Sequence, residues 1–145
     1  MKTWKELKKL IIKYNLEDRI YLAGPRYGEE KQKLYSEADL FVFPSFFRQE
    51  CFPLVILEAM QAGLPIITTE EGAIPEIIDH EINGIIIQQK DNNALEFQIK
   101  RLMKNRELRI RLGREARKKY LDNFTLEHFE RNMRDFFEQE LIISH

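Results

Sequence analysis

The chain has 145 residues and a mass of 17.4 kDa, and its 23 basic and 24 acidic residues give a formal net charge of −1 at pH 7. This length suits one domain with a sizeable core, and the near-zero charge argues against nucleic acid or an anionic membrane as a general partner. Cys51 is the only cysteine, which excludes an internal disulfide and suits a reducing compartment, so we expect a cytoplasmic location.

The first segment predicts an amphipathic helix rather than a targeting signal. Apolar side chains recur at helical spacing from Trp4 to Tyr14, and Thr3 with Glu6 matches a capping box. The unbroken apolar stretch of a signal peptide is missing from this segment. A run of about 18 apolar residues, which would predict a membrane-spanning helix, does not occur in the 145 residues.

Short apolar runs alternate with helix-forming segments from residue 19 to residue 87. Strands are predicted at "RIYLAG" (19–24), "DLFVFPS" (39–45), "PIIT" (65–68) and "GIII" (84–87). Helices are predicted at "GEEKQKLYSEA" (28–38), from near Pro53 to a stop at Gly63, and at "IPEII" (74–78). Because parallel strands need crossover connections, this alternation predicts an α/β fold, a Rossmann-like parallel sheet with helices on both faces.

The pattern from Asp91 to the end of the sequence is wholly helical and predicts three helices. The basic run "RELRIRLGREARKKY" (106–120) could indicate a nucleic-acid or membrane surface. Its leucines and isoleucines recur at helical spacing, however, so we interpret the basic residues as the solvated face of a packed helix.

Two acidic residues stand out in the segment "RQECFPLVILEAMQAGLPII" (48–67). Glu58 is the lone charge between residues 51 and 67, and Glu50 lies eight positions before it. If a helix begins near Pro53, the two acids flank its N-terminus, where unpaired N–H groups and the helix dipole favour a bound phosphate. Carboxylates on either side can accept hydrogen bonds from hydroxyl groups. The layout therefore fits a ligand of the form diol, phosphate, polyol, which is the form of a nucleotide sugar.

Simpler interpretations of both acids stay open at this point. An ionised carboxylate in an apolar segment is costly unless it reaches solvent or holds a hydrogen-bonding partner. Glu58 could extend to solvent, and Glu50 could act only as an electrostatic cap of the helix. Cys51 could suggest a nucleophile, but no histidine lies near it in sequence, so we interpret it as a packed small residue.

Residues 41–87 resemble the C-terminal donor-binding half of the retaining nucleotide-sugar glycosyltransferases of family 4, which have the GT-B architecture. The signature of that family is a Glu, seven intervening residues and a second Glu, here Glu50 and Glu58. Phe52, "LEAM" (57–60), "GLP" (63–65) and "GAIPEII" (72–78) agree with it. The resemblance extends upstream to residue 16 and downstream into the closing helices, so it covers nearly the whole chain.

The resemblance implies roles for the matching positions. Glu50 would be the catalytic candidate, contacting hydroxyls of the transferred sugar near the reacting centre, and Glu58 would bind the ribose hydroxyls of the nucleotide. In similar enzymes one segment approaches the donor phosphates with its backbone amides, and it corresponds here to Phe52, Pro53 and Leu54. A turn that often lies near the base corresponds to Gly24, Pro25 and Arg26.

The sequence departs from the family pattern in two ways. Pro53 stands where glycine is the commonest residue, so its nitrogen cannot donate a hydrogen bond to a phosphate. The family's N-terminal acceptor-binding domain and the first strand of the donor domain, near which an Arg and Lys pair usually lies, have no counterpart in these residues. We therefore expect residues 1–145 to form a single, N-terminally truncated donor-nucleotide-binding domain whose partner is the missing N-terminal domain.

The resemblance implies transfer of a hexose, with retention, from a nucleoside diphosphate sugar to a saccharide or lipid-linked acceptor. The donor is a substrate, no cofactor is expected, and no metal is expected because no Cys/His/Asp/Glu set has ligand spacing. Nucleic acid is not an expected partner, while peripheral membrane contact through the full-length enzyme stays open. The alternatives are a non-catalytic nucleotide-binding or interaction module of the same fold and, ranked last, an unrelated receiver domain.

Overall fold

A computed structural model describes residues 3–46 and 52–143, the last four of these by their backbone alone. The chain divides between residues 32 and 33 into two compact units. The elements in chain order are α1 (Trp4–Lys13), α2 (Gly28–Glu37), β1 (Phe41–Phe43), α3 (Leu54–Gln61), β2 (Ile66–Thr69), α4 (Ile74–Ile77), β3 (Ile85–Ile87), α5 (Asn92–Lys104), α6 (Arg106–Asn123) and α7 (Leu126–Ile143).

Helix α1 begins as its sequence predicts, with a complete capping box. The Thr3 hydroxyl oxygen accepts from the Glu6 N–H at 3.3 Å, and the Glu6 carboxylate accepts from the Thr3 N–H at 2.6 Å. Two of the backbone N–H groups that a helix start leaves without intrahelical partners are thereby satisfied.

The strand predicted at residues 19–24 is wrong. These residues are described, and they form no ladder with a neighbouring strand. β-rich composition favours an extended chain, but a strand also needs a partner that supplies ladder hydrogen bonds, and composition carries no information about a partner. Gly24 lies in a turn with a φ of 69°, a conformation that glycine adopts without steric cost.

The second unit contains the parallel sheet, as predicted. Its three strands lie in the order β1-β2-β3, with Phe41 opposite Ile66 and Ile67 opposite Ile85. All four residues of the central strand β2 are buried, which is typical of a parallel strand covered on both faces.

Alternate residues of β2 point into two apolar clusters, one on each face of the sheet. Ile66 packs with side chains of α3 and α4, and Ile67 packs with side chains of β3, α5 and α6. Helix α6 contributes to both clusters, through Ala116 on the first and Leu112 on the second. The predicted α/β class with helices on both faces is therefore confirmed.

The basic residues of α6 do more than coat an outer face. Arg109 donates to the carbonyl of Leu102 at 2.6 Å, near the end of α5, and Arg117 donates to the carbonyl of Gln61 at 2.7 Å, at the end of α3. Cationic donors near the C-termini of helices satisfy carbonyls that have no intrahelical partner. Part of this basic run therefore holds neighbouring helices in place, a role that its sequence pattern did not indicate.

Candidate functional site

The N-terminus of α3 lies in the connection that leaves the carboxyl end of β1. Pro53 is the N-cap residue, with φ −76° and ψ 100°, and the Ile56 N–H donates to its carbonyl at 3.0 Å. Leu54 and Val55 occupy the first two helical positions, and the helix itself offers no acceptor to the N–H groups at these positions. The predicted helix start near Pro53 is confirmed, and proline suits it because its φ is already close to helical.

Phe52, which directly precedes the N-cap residue of α3, contacts a residue at the end of α6. Its ring makes an edge contact with the ring of Phe124, with centroids 6.2 Å apart and an angle of 61° between the planes. Phe124 is the C-cap residue of α6 and packs against the first apolar cluster. This contact joins two residues that are far apart in sequence, so nothing in the local pattern around Phe52 could have revealed it.

Glu58 lies in the second turn of α3 and is half-buried. The hydroxyl of Tyr35, on α2, donates to its Oε2 atom at 3.1 Å and lies 3.4 Å from the carbonyl oxygen of Val55. Glu58 therefore has a hydrogen-bonding partner and is also partly exposed to solvent. Sequence reasoning missed Tyr35, since it precedes Glu58 by 23 positions on a different helix.

The electrostatics of this contact favour a neutral tyrosine. Burial, and then the charge and hydrogen bond of Glu58, raise the pKa of Tyr35 to about 12. Its hydroxyl consequently stays protonated and remains a donor throughout the physiological pH range.

A cavity of about 270 Å³ opens at the carboxyl ends of all three strands. Ligands of open parallel sheets characteristically bind at this edge. The Lys90 ammonium lies 5.4 Å from the centroid of the Phe46 ring at this edge. The cavity is lined by side chains that include Phe46, Thr69, Gln88, Lys90 and Asn92.

The remaining site candidates are not all brought together. Glu50 and Cys51 lie outside the described residues. Gly24, Pro25 and Arg26 belong to the first unit, where Arg26 donates to the Tyr21 hydroxyl at 3.1 Å and pairs with Glu30 at 3.7 Å. Their predicted position near a nucleotide base therefore stays a prediction.

The described residues contain neither a cluster of metal-binding side chains nor a membrane-spanning helix. Within residues 3–46 and 52–143 there is no group of three or more side chains placed to hold a metal ion. None of the helices in the same ranges combines the length and the apolar character that a membrane crossing requires.

The α/β fold with its parallel sheet is the fold of GT-B glycosyltransferase structures. Sucrose-phosphate synthase from Thermosynechococcus elongatus superimposes with a TM-score of 0.85 over 96% of this chain and 34% of its own, at 28% sequence identity. Anabaena HepE in complex with UDP-glucose superimposes with a TM-score of 0.84 over 93% of this chain and 36% of its own, at 23% identity, a likeness of fold alone.

The family model for glycosyl transferases group 1 matches residues 2–119, and the chain belongs to that family. The amylovoran biosynthesis glycosyltransferase AmsK of Erwinia amylovora is 36% identical over 101 residues, which make up 67% of this chain and 25% of that protein. The chain thus spans about a quarter of the length of this relative.

Proposed function

We propose that this chain forms the donor-nucleotide half of a retaining glycosyltransferase of family 4. In this proposal a hexose is moved from a nucleoside diphosphate sugar to a saccharide or lipid-linked acceptor. The observation that carries the proposal is the half-buried Glu58 carboxylate, held by Tyr35 one turn into the helix whose first N–H groups can approach a phosphate. Membership of the family supports it.

Names and bound ligands of similar proteins support the donor and the product class. The name of AmsK refers to the biosynthesis of amylovoran, and the HepE structure contains UDP-glucose. Both are consistent with a nucleotide-sugar donor and a polysaccharide pathway for this chain.

The chemistry proposed for this chain assigns one task to each part of the site. Glu58 accepts hydrogen bonds from the two ribose hydroxyls, and the N–H groups of Leu54 and Val55 face the diphosphate. Pro53 contributes no donor there, so the dipole of α3 and neighbouring amides offset the charge that develops on the leaving diphosphate. Glu50 contacts the hydroxyls of the sugar. Retention places the acceptor on the same face as the departing diphosphate, and no covalent glycosyl-enzyme intermediate is required.

Titration calorimetry with UDP, ADP and GDP tests the donor site through Glu58→Gln. A hydrogen bond to a charged group contributes roughly 1.5–3 kcal/mol, so we expect the variant to lose about tenfold or more in affinity for the nucleotide that binds best. Glu50→Gln should lose less nucleotide affinity, because its partner is the sugar.

Glu96→Gln is the matched control for this titration. Glu96 is an exposed carboxylate on α5 that bonds Lys100 on the same helix, so its neutralisation should leave nucleotide affinity unchanged. Equal affinities of wild type and Glu58→Gln would contradict the proposed role, and so would a wild-type chain that binds none of the three nucleotides at millimolar concentration.

A further inference from the structure

We propose that Tyr35 is a positioning residue of the donor site, which orients the Glu58 carboxylate towards the ribose hydroxyls of the nucleotide. This inference rests on the proposed function, because it assumes that Glu58 binds the ribose. It assigns a role in substrate binding to a residue that the Glu-x7-Glu signature does not contain. The contact that carries it is the 3.1 Å hydrogen bond from the Tyr35 hydroxyl to Glu58 Oε2.

The ring of Tyr35 is fixed before any ligand binds. It lies 5.7 Å from the Phe41 ring on β1, centroid to centroid, and it packs against the buried cluster that contains Ile56 and Met60. The residues on either side of it, Leu34 and Ser36, are exposed, whereas Tyr35 is half-buried. The hydroxyl is therefore held at one point of the sheet surface by the packing of its own ring.

The hydroxyl has one proton and two acceptors within reach. The carboxylate oxygen of Glu58 is nearer than the carbonyl oxygen of Val55, 3.1 Å against 3.4 Å, and it carries the charge. Hydrogen bonds to charged acceptors are the stronger ones, so the hydroxyl donates its hydrogen bond to Glu58. An ionised carboxylate has about four acceptor positions, and the bond from Tyr35 uses one of them.

Orientation of the carboxylate changes how tightly a ribose can bind. A glutamate without such a bond samples several rotamers, and freezing one of them on binding costs free energy. Tyr35 supplies that order in advance. Loss of the hydroxyl should therefore weaken ribose recognition about three- to tenfold, the range expected for ordering one long side chain.

The experiment compares Tyr35→Phe with wild type in titrations with UDP, ADP and GDP and with their 2′,3′-dideoxy counterparts. The substitution keeps the ring and removes only the hydroxyl. We expect about three- to tenfold weaker binding of the best ribonucleotide and unchanged binding of its dideoxy counterpart, which offers no hydroxyl to Glu58. A purely structural role would instead weaken both ligands equally.

Two controls make the result specific to the Glu58 contact. Tyr120→Phe removes a hydroxyl from another half-buried tyrosine that packs on the same cluster, and it should leave both affinities unchanged. In a Glu58→Gln background, Tyr35→Phe should cost less than twofold in ribonucleotide affinity, because residues that act through one contact are not additive. Thermal melting of each variant checks that the chain remains folded.

The outcomes separate this inference from the proposed function. If wild type prefers ribonucleotides to their dideoxy counterparts and Tyr35→Phe keeps the full preference, Tyr35 has no positioning role while the donor site stands. Equal weakening of both ligands by Tyr35→Phe would likewise overturn the positioning role. If wild type shows no such preference, Glu58 does not bind the ribose, and both proposals fail.

Discussion

Glu58 illustrates how a single carboxylate is accommodated in an apolar segment. Its neighbours Ala59 and Met60 are fully buried, and an uncompensated charge beside them would be costly. The Tyr35 hydroxyl offsets part of that cost, since it donates to the carboxylate without adding a second charge. This contact is compatible with the proposed role of Glu58 in binding a ribose, because a carboxylate can accept more than one hydrogen bond.

Glu81 is a carboxylate whose partner is a cation. Both of its oxygens accept from the Arg101 guanidinium, one of them at 3.0 Å, and the side chains of both residues are about 35% exposed. The hydrogen bond from Arg101 is the main reason that the pKa of Glu81 is lowered from 4.5. Because solvent screens a pair with this exposure, we expect it to contribute about 0.5–1 kcal/mol to folding.

We predict that Glu81→Gln lowers the free energy of unfolding by about 0.5–1 kcal/mol at pH 7. A carboxylate whose pKa is lower in the folded state contributes stability that is fully present above the unfolded value of 4.5 and is lost as pH falls through the lowered folded-state value. The difference between wild type and variant should accordingly shrink below pH 4.5. Urea unfolding at pH 7, 5 and 3.5 measures it.

Glu96→Gln serves as the comparison for that series. Hydrogen bonding to Lys100 also lowers the pKa of Glu96, but both side chains are 63% exposed. We expect no measurable change in stability at any of the three pH values. A Glu81→Gln difference that persists undiminished at pH 3.5 would show that the ion pair is not its source.

Helix α6 approaches the end of α3 closely at Gly113. A Cβ atom added to Gly113, in α6, would lie 2.1 Å from the carbonyl oxygen of Gly63, the residue that ends α3 with a φ of 72°. Backbone atoms cannot move out of the way as a flexible side chain can. Glycine at position 113 therefore permits the two chain segments to approach each other.

We predict that Gly113→Ala destabilises the protein by about 2–4 kcal/mol, because overpacking against backbone forces the two helices apart. Intrinsic propensity alone predicts the opposite sign, since alanine is favoured over glycine in a helix interior by about 1 kcal/mol. Thermal unfolding should show a Tm lower by about 4–12 °C. A variant as stable as wild type would show that the helices do not cross this closely.

An exposed position of the same helix provides the control for Gly113→Ala. Lys118 is exposed on α6, and Lys118→Ala should change the free energy of unfolding by no more than about 0.5 kcal/mol. A comparable loss in both variants would point to a general weakness of α6 rather than to the crossing at Gly113.

At the scale of the whole molecule, the proposed function requires more than a site for the donor. Glycosyl transfer requires an oriented acceptor and exclusion of water, because these supply much of the rate and prevent hydrolysis of the donor. The chain matches only about a third of the length of sucrose-phosphate synthase.

We predict no measurable glycosyl transfer by the 145 residues alone, and transfer when an N-terminal α/β domain of a relative is joined ahead of Met1. The assay follows label from a mixture of nucleotide sugars into glycan and lipid extracts. Nucleotide binding without transfer in either form would favour the alternative of a non-catalytic binding module. Efficient transfer by the isolated chain would show instead that the donor half can act by itself.

In that joined protein, substitutions of Glu58 and Glu50 should affect different kinetic quantities. Glu58→Gln should act mainly on nucleotide affinity, whereas Glu50→Gln should reduce turnover more, because Glu50 is expected to face the sugar near the reacting centre. Steady-state kinetics with saturating donor measure turnover apart from affinity. Equal losses in both quantities would mean that the roles are wrongly assigned.

The sequence by itself determined the order of the elements in the second unit and the position of the key helix. Short apolar runs of β-forming residues, the helical period of 3.6 residues, the Gly63 stop and the proline at position 53 are local signals, and each can be read within a few residues. They were sufficient to predict β1, α3, β2 and β3 and to single out Glu58 as an unusual carboxylate.

Only the tertiary structure decided which residues meet. Tyr35 reaches Glu58 across 23 positions and Gly113 reaches Gly63 across 50, and neither pair has a period or spacing that marks it. The β-rich run at residues 19–24 shows the same limit in reverse, since it has the composition of a strand but no ladder. Local propensity describes what one segment favours, whereas contacts and ladders depend on a second segment that packing alone supplies.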